Sequence, residues 1–253
     1  MRYGLISDIH ANLHALETAI AALRREGVDG FLCMGDLVGY GPFPNECVER
    51  VAELSAQCVA GNHDLIALDR LSEERCIPLA QQSLRWTRTV LRDDTRRYLA
   101  ALPLRAAIGS DIVMAHGSLD DAQEYITRPE QADRQLQQLT AEHPTARLLL
   151  LGHTHRQWSY RPGARLLNPG SVGQSRDRQA RVRFALLDLD RDEERFFSLP
   201  YDVAACRAAL RKQGLPPASC HMAPSLLTAC AGRLRRLARA TERISRGARR
   251  NWS

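Results

Sequence analysis

Five short apolar runs, each followed at once by a polar motif, constrain the fold of this 253-residue chain more than any other feature. The first 65 residues alternate runs of strand length with longer helical patterns such as 13–25, which is typical of β-α-β units around a largely parallel sheet. Ligands bind beyond the carboxyl ends of the strands in such sheets, so the motifs are predicted to converge in one crevice. The motifs are Asp8-Ile9-His10, Gly35-Asp36, Gly61-Asn62-His63-Asp64, His116-Gly117 and Gly152-His153-Thr154-His155.

These motifs carry the side chains that divalent metal ions prefer. Aspartate oxygens and histidine nitrogens suit Mn, Fe, Ni or Zn better than Ca or Mg. In an extended segment residues i and i+2 point the same way, so both polar residues of D-x-H and H-x-H can reach one site. A single such residue is more often structural, but five of the eight histidines lie in the motifs. The joint pattern predicts a metal site, in which two ions would share a bridging group.

The remaining sequence predicts a charged helical cover at residues 65–101 and a β-rich second half. Short strands are expected at 112–115 and 147–151, and hairpin-connected strands between 158 and 199. Near the C-terminus, apolar residues recur at helical spacing among arginines, which predicts an amphipathic helix.

Charge and composition exclude several classes of protein. The net charge is +6, but residues 231–253 contain eight Arg and one Glu, so this tail carries +7 and the rest of the chain −1. The basic balance is therefore no evidence for a nucleic-acid groove on the body. Seven cysteines without a C-x-x-C pair favour reduced thiols over a disulfide framework. With no apolar run of about 20 residues and no signal-peptide pattern, we expect a cytoplasmic location and no membrane span.

The order D-x-H, G-D, G-N-H-D, H and G-H-x-H resembles that of the calcineurin-like metallophosphoesterase superfamily over roughly the first 190 residues. Residues 168–173, Asn-Pro-Gly-Ser-Val-Gly, resemble a segment of its small prokaryotic phosphodiesterase branch. The resemblance implies an α/β fold, a four-layer αββα sandwich of two mixed β-sheets flanked by helices. We expect a metallophosphoesterase domain at 1–224, which includes the cover at 65–101, and an Arg-rich amphipathic helix or tail at 225–253.

The resemblance also implies roles for the motif residues and a dinuclear centre of Mn, Fe, Ni or Zn, with Mn favoured. His63 matches the proton-donating histidine of the family, and Asp64 would hold its ring. The implied reaction is hydrolysis of a phosphoester by in-line attack of a metal-bridging hydroxide. One metal would be bound by Asp8, His10, Asp36 and His155. The other would be bound by Asp36, Asn62, His116 and His153, so that Asp36 is the bridge.

Two further residues are weaker candidates for substrate binding. Asn12 could contact the substrate phosphate or simply cap the helix that follows it. Tyr40 could stack on a base, although aromatic residues in such loops more often pack locally. Residues 200–205 are similar to part of the bacterial metallophosphoesterases that include asymmetrical dinucleoside polyphosphate hydrolases. The predicted substrates are therefore phosphodiesters or nucleotide phosphoanhydrides, with diadenosine polyphosphates among them.

Three alternatives remain open from the sequence. The same metal motifs would serve a phosphomonoesterase, including a protein phosphatase. A non-catalytic scaffold could keep the fold for protein binding, although such relatives usually lose metal or acid residues. The Arg-rich tail could bind nucleic acid, anionic lipid or a protein, but a solvated helix face is the commoner outcome for such a segment.

Overall fold

The structure is a computed structural model that describes residues 1–222. Seven α-helices and ten strands are present in this part of the chain, followed by a 3₁₀ helix at Pro217–Cys220. The strands are β1 Arg2–Ile6, β2 Gly30–Cys33, β3 Gln57–Cys58, β4 Arg105–Ile108, β5 Ile112–Ala115, β6 Leu148–Leu150, β7 Gln157–Tyr160, β8 Arg165–Pro169, β9 Val182–Asp188 and β10 Glu193–Leu199. The helices are α1 Leu13–Arg25, α2 Pro44–Glu53, α3 Asn62–Ala67, α4 Pro78–Val90, α5 Asp93–Ala101, α6 Pro129–Glu142 and α7 Val203–Lys212.

The strands form two five-stranded mixed sheets. The first has the order β10-β9-β1-β2-β3, with β1, β2 and β3 parallel and β9 and β10 antiparallel. The second has the order β4-β5-β6-β8-β7, in which β5, β6 and β8 are parallel and the two outer strands antiparallel. Each sheet therefore contains three parallel strands whose carboxyl ends share one edge.

The alternation of side chains along the inner strands produces four layers. Leu5 of β1 lies in a buried cluster with Leu150 of β6, between the two sheets. Its neighbour Ile6 points to the opposite face and packs in a cluster with Leu16 and Ile20 of α1. On the far side of the second sheet, residues of β5, β6 and β8 pack against α6. The layers are helix, sheet, sheet and helix, which confirms the predicted αββα sandwich.

The local predictions succeed where the apolar pattern is strong. The helix at 13–25 has the predicted bounds, and residues 65–101 contain α4, α5 and the second half of α3. Strand β4 and helix α6 were not predicted, because β4 is a half-exposed edge strand and α6 carries only a narrow apolar stripe of Ala132, Leu136 and Leu139. The Arg-rich segment at 225–253, its boundary at 224 and the partners suggested for it lie outside the described residues.

Two further findings concern the predicted class of protein. Within residues 1–222, no helix combines the length and apolar character needed to cross a bilayer. The six cysteines of this part of the chain are free thiols; five are buried and Cys76 is intermediate.

Candidate metal centre

The structure brings the five polar motifs together where strands of both sheets end. Asp8 and His10 follow β1, Asp36 follows β2, and Asn62 begins α3 just after β3. The second sheet contributes the histidines that follow β5 and β6. All seven predicted ligand residues are at most 6% exposed, and we call them the floor. The floor consists of Asp8, His10, Asp36, Asn62, His116, His153 and His155.

The backbone of the floor lies largely in the left-handed region. Five floor residues have φ between 48° and 64°. This conformation costs a non-glycine residue of order 1–3 kcal/mol, and it persists only where the surrounding structure imposes it. Backbone hydrogen bonds from Asp8 to Gly35 (3.0 Å) and from His10 to Asp36 (2.9 Å) join the loops that impose it. The D-x-H segment is therefore not extended as predicted, because these turns aim both side chains at one point. The five residues are Asp8, His10, Asp36, His153 and His155.

The floor side chains form two clusters of possible ligand atoms that share a carboxylate. In the first, His155 Nε2 lies 3.3 Å from Asp8 Oδ1 and 3.2 Å from His10 Nε2. In the second, His116 Nε2 lies 3.3 Å from Asp36 Oδ2 and 3.1 Å from Asn62 Oδ1. Asp36 Oδ2 also lies 3.6 Å from His10 Nε2. The carboxylate of Asp36 therefore lies between the clusters, where the bridge was predicted.

The donor atoms suit metal ions. Asp8 Oδ1 and His153 Nε2 are buried without a hydrogen-bond partner among the described residues, and leaving such an atom unpaired costs about 1–3 kcal/mol. The Nδ1 atoms of His10, His116 and His155 contact the backbone carbonyls of Val38, Met34 and Gln174 at 3.2, 2.5 and 2.6 Å. Such contacts orient the rings of metal ligands and leave Nε2 free. The residues present therefore fit two divalent cations.

Burial and neighbouring charges shift the pKa values of the floor. Burial opposes the charged forms of Asp36 and His116, but their mutual attraction holds the pKa of Asp36 well below its usual range. The same carboxylate, against the effect of burial, raises the pKa of His116 to about 9. Burial and the charge of His116 lower the pKa of His153 to about 3, so its ring is neutral and has a lone pair to offer at neutral pH.

His63 lies beside the floor with its ring held on two sides. The ring stacks on Tyr40 with centroids 4.8 Å apart and meets the ring of His10 edge-on at 4.7 Å. Gly39 has φ +84°, and a Cβ there would lie 2.3 Å from His63 Nδ1, so only glycine leaves room for the ring. Burial lowers the pKa of His63 to about 4. His63, His10 and Asp36 form a third group of atoms within 4.8 Å of one another.

Asp64, which was predicted to orient His63, makes no hydrogen bond to the His63 ring in the structure. Its Oδ2 accepts hydrogen bonds from the backbone N–H groups of Asp36 and Gly61, both at 2.9 Å. Its Oδ1 accepts from Leu37 at 2.9 Å and Val38 at 3.2 Å. These four hydrogen bonds occupy both oxygens of the carboxylate and fix the turn that carries Asp36. His63 Nδ1 has no hydrogen-bond partner among the described residues.

Asn12 and Tyr40 are not exposed for substrate binding. Asn12 caps α1, since its Oδ1 accepts from Ala15 N at 3.2 Å and its Nδ2 donates to the carbonyl of Gly173 at 2.8 Å. It is 1% exposed, so of the two roles considered the structure supports the cap. Tyr40 borders the pocket but is 3% exposed and stacks on His63. In this structure its ring contacts His63 instead, and stacking on a base stays a prediction.

A pocket of about 260 Å³ opens above the floor. Its upper walls come from residues that the sequence reasoning did not single out, because they lie on loops without periodic patterns. Arg176 alone had a nearby signal, since it comes three residues after the segment 168–173. These wall residues include Arg75, Cys76, Ile77, Gln123, Tyr125 and Arg176.

Comparisons with known proteins identify the family of this chain. The chain is 34% identical to a metallophosphoesterase from Sphaerobacter thermophilus of known structure, over 87% of this chain and 97% of that one, with a TM-score of 0.72. A hypothetical protein from Pyrococcus horikoshii OT3 has the same fold, with a TM-score of 0.76, 21% identity and coverage of 86% and 95%. An uncharacterized protein of Methanocaldococcus jannaschii is 28% identical over 84% of this chain and 93% of its own length. Residues 1–192 match the family model of the calcineurin-like phosphoesterase superfamily domain, and the chain therefore belongs to that superfamily of metallophosphoesterases.

Proposed function

We propose that this protein is a dinuclear metal-dependent hydrolase of phosphodiesters or nucleotide phosphoanhydrides. The position of Asp36 carries the proposal, because its Oδ2 lies 3.6 Å from His10 Nε2 and 3.3 Å from His116 Nε2. One carboxylate oxygen within reach of both clusters is what a pair of ions held by a common bridge requires.

The floor divides into two ligand sets in this proposal. Nitrogen and oxygen donors of this kind suit Mn, Fe, Ni or Zn, and we propose Mn as the first metal to test. When bound, the two cations supply Lewis-acid polarisation of the phosphoryl oxygens and activate water for attack on phosphorus. Asp8, His10, Asp36 and His155 would hold one ion. Asp36, Asn62, His116 and His153 would hold the other.

His63 is the proposed proton donor. Burial lowers its pKa to about 4 in the metal-free protein, and this role therefore requires the negative charge of a bound phosphoryl group to raise that pKa. Its ring adjoins the floor at His10, while the stack on Tyr40 and the absence of a side chain at Gly39 hold it in place. From there an imidazole N–H can donate to the leaving-group oxygen or to a phosphoryl oxygen. Because the surrounding side chains are buried, this interaction is stronger than it would be in water.

The segment at residues 200–205 bears on the choice of substrate. Within residues 200–205, Tyr201 accepts a hydrogen bond from Asn12 at 3.2 Å, and Asp202 caps α7 by accepting from Ala205 N at 2.8 Å. These contacts give the segment a structural role away from the pocket. Diadenosine polyphosphates are therefore supported by sequence similarity alone. We propose them as one member of the class of phosphodiesters and nucleotide phosphoanhydrides, without preference over the other members.

An activity panel on metal-reconstituted protein tests the proposal. We expect hydrolysis of bis-p-nitrophenyl phosphate, cyclic nucleotides or diadenosine tetraphosphate to exceed that of p-nitrophenyl phosphate, and to disappear in Asp36→Asn. Preference for p-nitrophenyl phosphate would instead indicate a phosphomonoesterase. A protein that binds two ions per chain yet hydrolyses no phosphoester would contradict the proposal and support the scaffold alternative.

A further inference from the structure

Arg176 holds an unusual position in the pocket wall. Its Nη2 lies 3.2 Å from His155 Nε2, on the floor, and its Nη1 donates to the hydroxyl of Tyr125 at 3.1 Å. Its Nε contacts Gln174 Oε1 at 3.4 Å. Among residues 1–222, no carboxylate lies within the 4.0 Å of an ion pair with this guanidinium. A positive charge is therefore placed beside the floor without an acidic partner in the described chain.

Arg75, in the wall of the same pocket, provides an internal comparison. Its Nη1 pairs with Asp121 Oδ2 at 2.9 Å, and its Nη2 donates to the carbonyl of Gln123 at 3.2 Å. The Arg75 side chain is 59% exposed. The charge of Arg75 is thus balanced by a carboxylate and screened by water. The charge of Arg176 has no carboxylate partner among residues 1–222.

A guanidinium beside a centre proposed to hold two cations requires an anion among them. Like charges so close together are costly, and a bound phosphoryl group would offset part of this positive charge. The planar guanidinium also presents parallel N–H donors that match two phosphate oxygens. The position of Arg176 is therefore suited to a phosphoryl oxygen on the pocket side of the floor.

Tyr125 extends this surface towards the mouth of the pocket. Its ring centroid lies 4.1 Å from that of His153, yet the residue is 44% exposed. Ile77, which also lines the pocket, is 47% exposed. These are two of the five large apolar side chains that the described residues expose. Apolar surface at the mouth favours a ligand whose outer part is flat and apolar.

We propose that Arg176 binds the phosphoryl oxygens of the substrate and that the exposed ring of Tyr125 contacts an aromatic leaving group. The preferred substrates are then aryl or nucleoside esters rather than simple alkyl esters. The inference rests on the proposed function, but it concerns binding and can be measured without turnover.

Calorimetric binding of inorganic phosphate to the Mn-reconstituted protein tests the role of Arg176. We expect Arg176→Ala to raise the Kd about 10- to 100-fold. Arg176→Lys should raise it less, since lysine keeps the positive charge but lacks the paired N–H donors of the guanidinium. The matched control, Arg75→Ala, should change the Kd by less than about 3-fold. Every variant should bind two ions per chain. An unchanged Kd in Arg176→Ala, an equal loss in Arg75→Ala, or loss of metal from Arg176→Ala would overturn the role.

Two non-hydrolysable ligands, phenylphosphonate and methylphosphonate, test the role of Tyr125. We expect the protein to bind phenylphosphonate about 3- to 10-fold more tightly, and this preference to vanish in Tyr125→Ala but persist in Tyr125→Phe. A preference that survives Tyr125→Ala would refute the contact. Inertness of the metal-loaded protein towards all phosphoesters would instead refute the proposed function, so the two failures are distinguishable.

Discussion

The floor of the pocket and the turns that support it use similar side chains in opposite ways. Asp36 in the floor and Asp64 beneath it are both at most 1% exposed. Asp64 accepts four backbone hydrogen bonds, which occupy both of its oxygens. Asp36 accepts one backbone hydrogen bond, from His63 N at 2.8 Å, and directs its other oxygen towards His10 and His116.

The same contrast separates Asn12 from Asp8. The amide of Asn12 is satisfied by Ala15 N, the carbonyl of Gly173 and the hydroxyl of Tyr201, whereas Asp8 Oδ1 has no hydrogen-bond partner among the described residues. A polar side chain whose bonding capacity is used by the backbone stabilises the fold; one with unused capacity can bind a ligand. We therefore expect substitutions in the floor to act mainly on metal binding and catalysis, and those at the supports, Asn12 and Asp64, mainly on stability.

The largest effect is expected for Asp36→Asn. Asparagine keeps the size of the side chain and can still accept from His63 N, but it removes the charge shared by the two clusters. We expect kcat to fall about 10⁴-fold or more, equivalent to about 5.5 kcal/mol of transition-state stabilisation, with fewer than two ions bound. Metal analysis and steady-state kinetics check this. The exposed carboxylate of Asp190, changed to Asn, is the control and should leave both unchanged.

His63→Ala tests whether a residue beside the floor acts in catalysis without binding metal. We expect kcat to fall about 10²- to 10⁴-fold, as for loss of a general acid, while two ions remain bound. The loss should be smaller for substrates with leaving groups of low pKa, because these need less protonation. If one ion were lost instead, His63 would be a ligand in the group it forms with His10 and Asp36.

Asp64→Asn should affect stability rather than chemistry. An amide offers one acceptor oxygen where the carboxylate has two, so about two of the four N–H groups would lose their partner. At about 1–3 kcal/mol for each buried group, the free energy of unfolding should fall by about 2–6 kcal/mol, measured by urea denaturation. At temperatures where the variant stays folded, kcat should change by less than about 10-fold. A kcat as low as that of His63→Ala would restore the ring-orienting role.

Removal of metal with EDTA should lower the Tm by an amount that depends on pH. At 100 times the Kd, one bound ion stabilises by about 2.7 kcal/mol. In the metal-free protein His116 has a pKa of about 9, above its ordinary 6.5. Its protonation therefore stabilises the folded state, fully below pH 6.5, and this contribution is lost as the pH rises through 9. A metal ion competes with this proton. The Tm difference between Mn-loaded and EDTA-treated protein should therefore grow from pH 6.5 to 8.5; a constant difference would contradict proton competition.

How much of the site was predictable follows from the kind of contact involved. Apolar strands that end in polar motifs are visible in the sequence, and parallel strands bring their ends together, so the convergence of the motifs could be predicted. The resemblance to the superfamily supplied the choice of the seven floor residues among them. The partners of Asp64 could not be predicted, since three of the four are backbone groups 26–28 residues away whose position depends on the left-handed turn at Asp36. Arg176 and Tyr125 were missed because loop conformation, not periodicity, places them in the pocket.

The fold shows the same division. Helix α1 was predicted with its observed bounds because a regular apolar stripe and a capping residue both mark it. Strand β4 pairs with β5 at an edge of the second sheet, and three of its four residues are partly or fully exposed, so Arg105–Ile108 lacks the apolar run on which strand prediction depends. The global fold was therefore predictable from its buried strands, while edges and loops required the structure.

Asn12→Ala should have the smallest effect and tests the support side of the comparison. Loss of an N-cap typically costs about 0.5–2 kcal/mol of stability, and here the carbonyl of Gly173 also loses its donor. Asn12→Asp is the matched variant: it restores the acceptor for Ala15 N but not the donor, so it separates the cap from the contact to Gly173. For the cap to dominate, Asn12→Asp must be more stable than Asn12→Ala in urea denaturation.

The KM for bis-p-nitrophenyl phosphate should stay within about 3-fold of the unsubstituted protein in both variants. A large rise in KM with unchanged stability would return Asn12 to the substrate site and break the division between floor and supports.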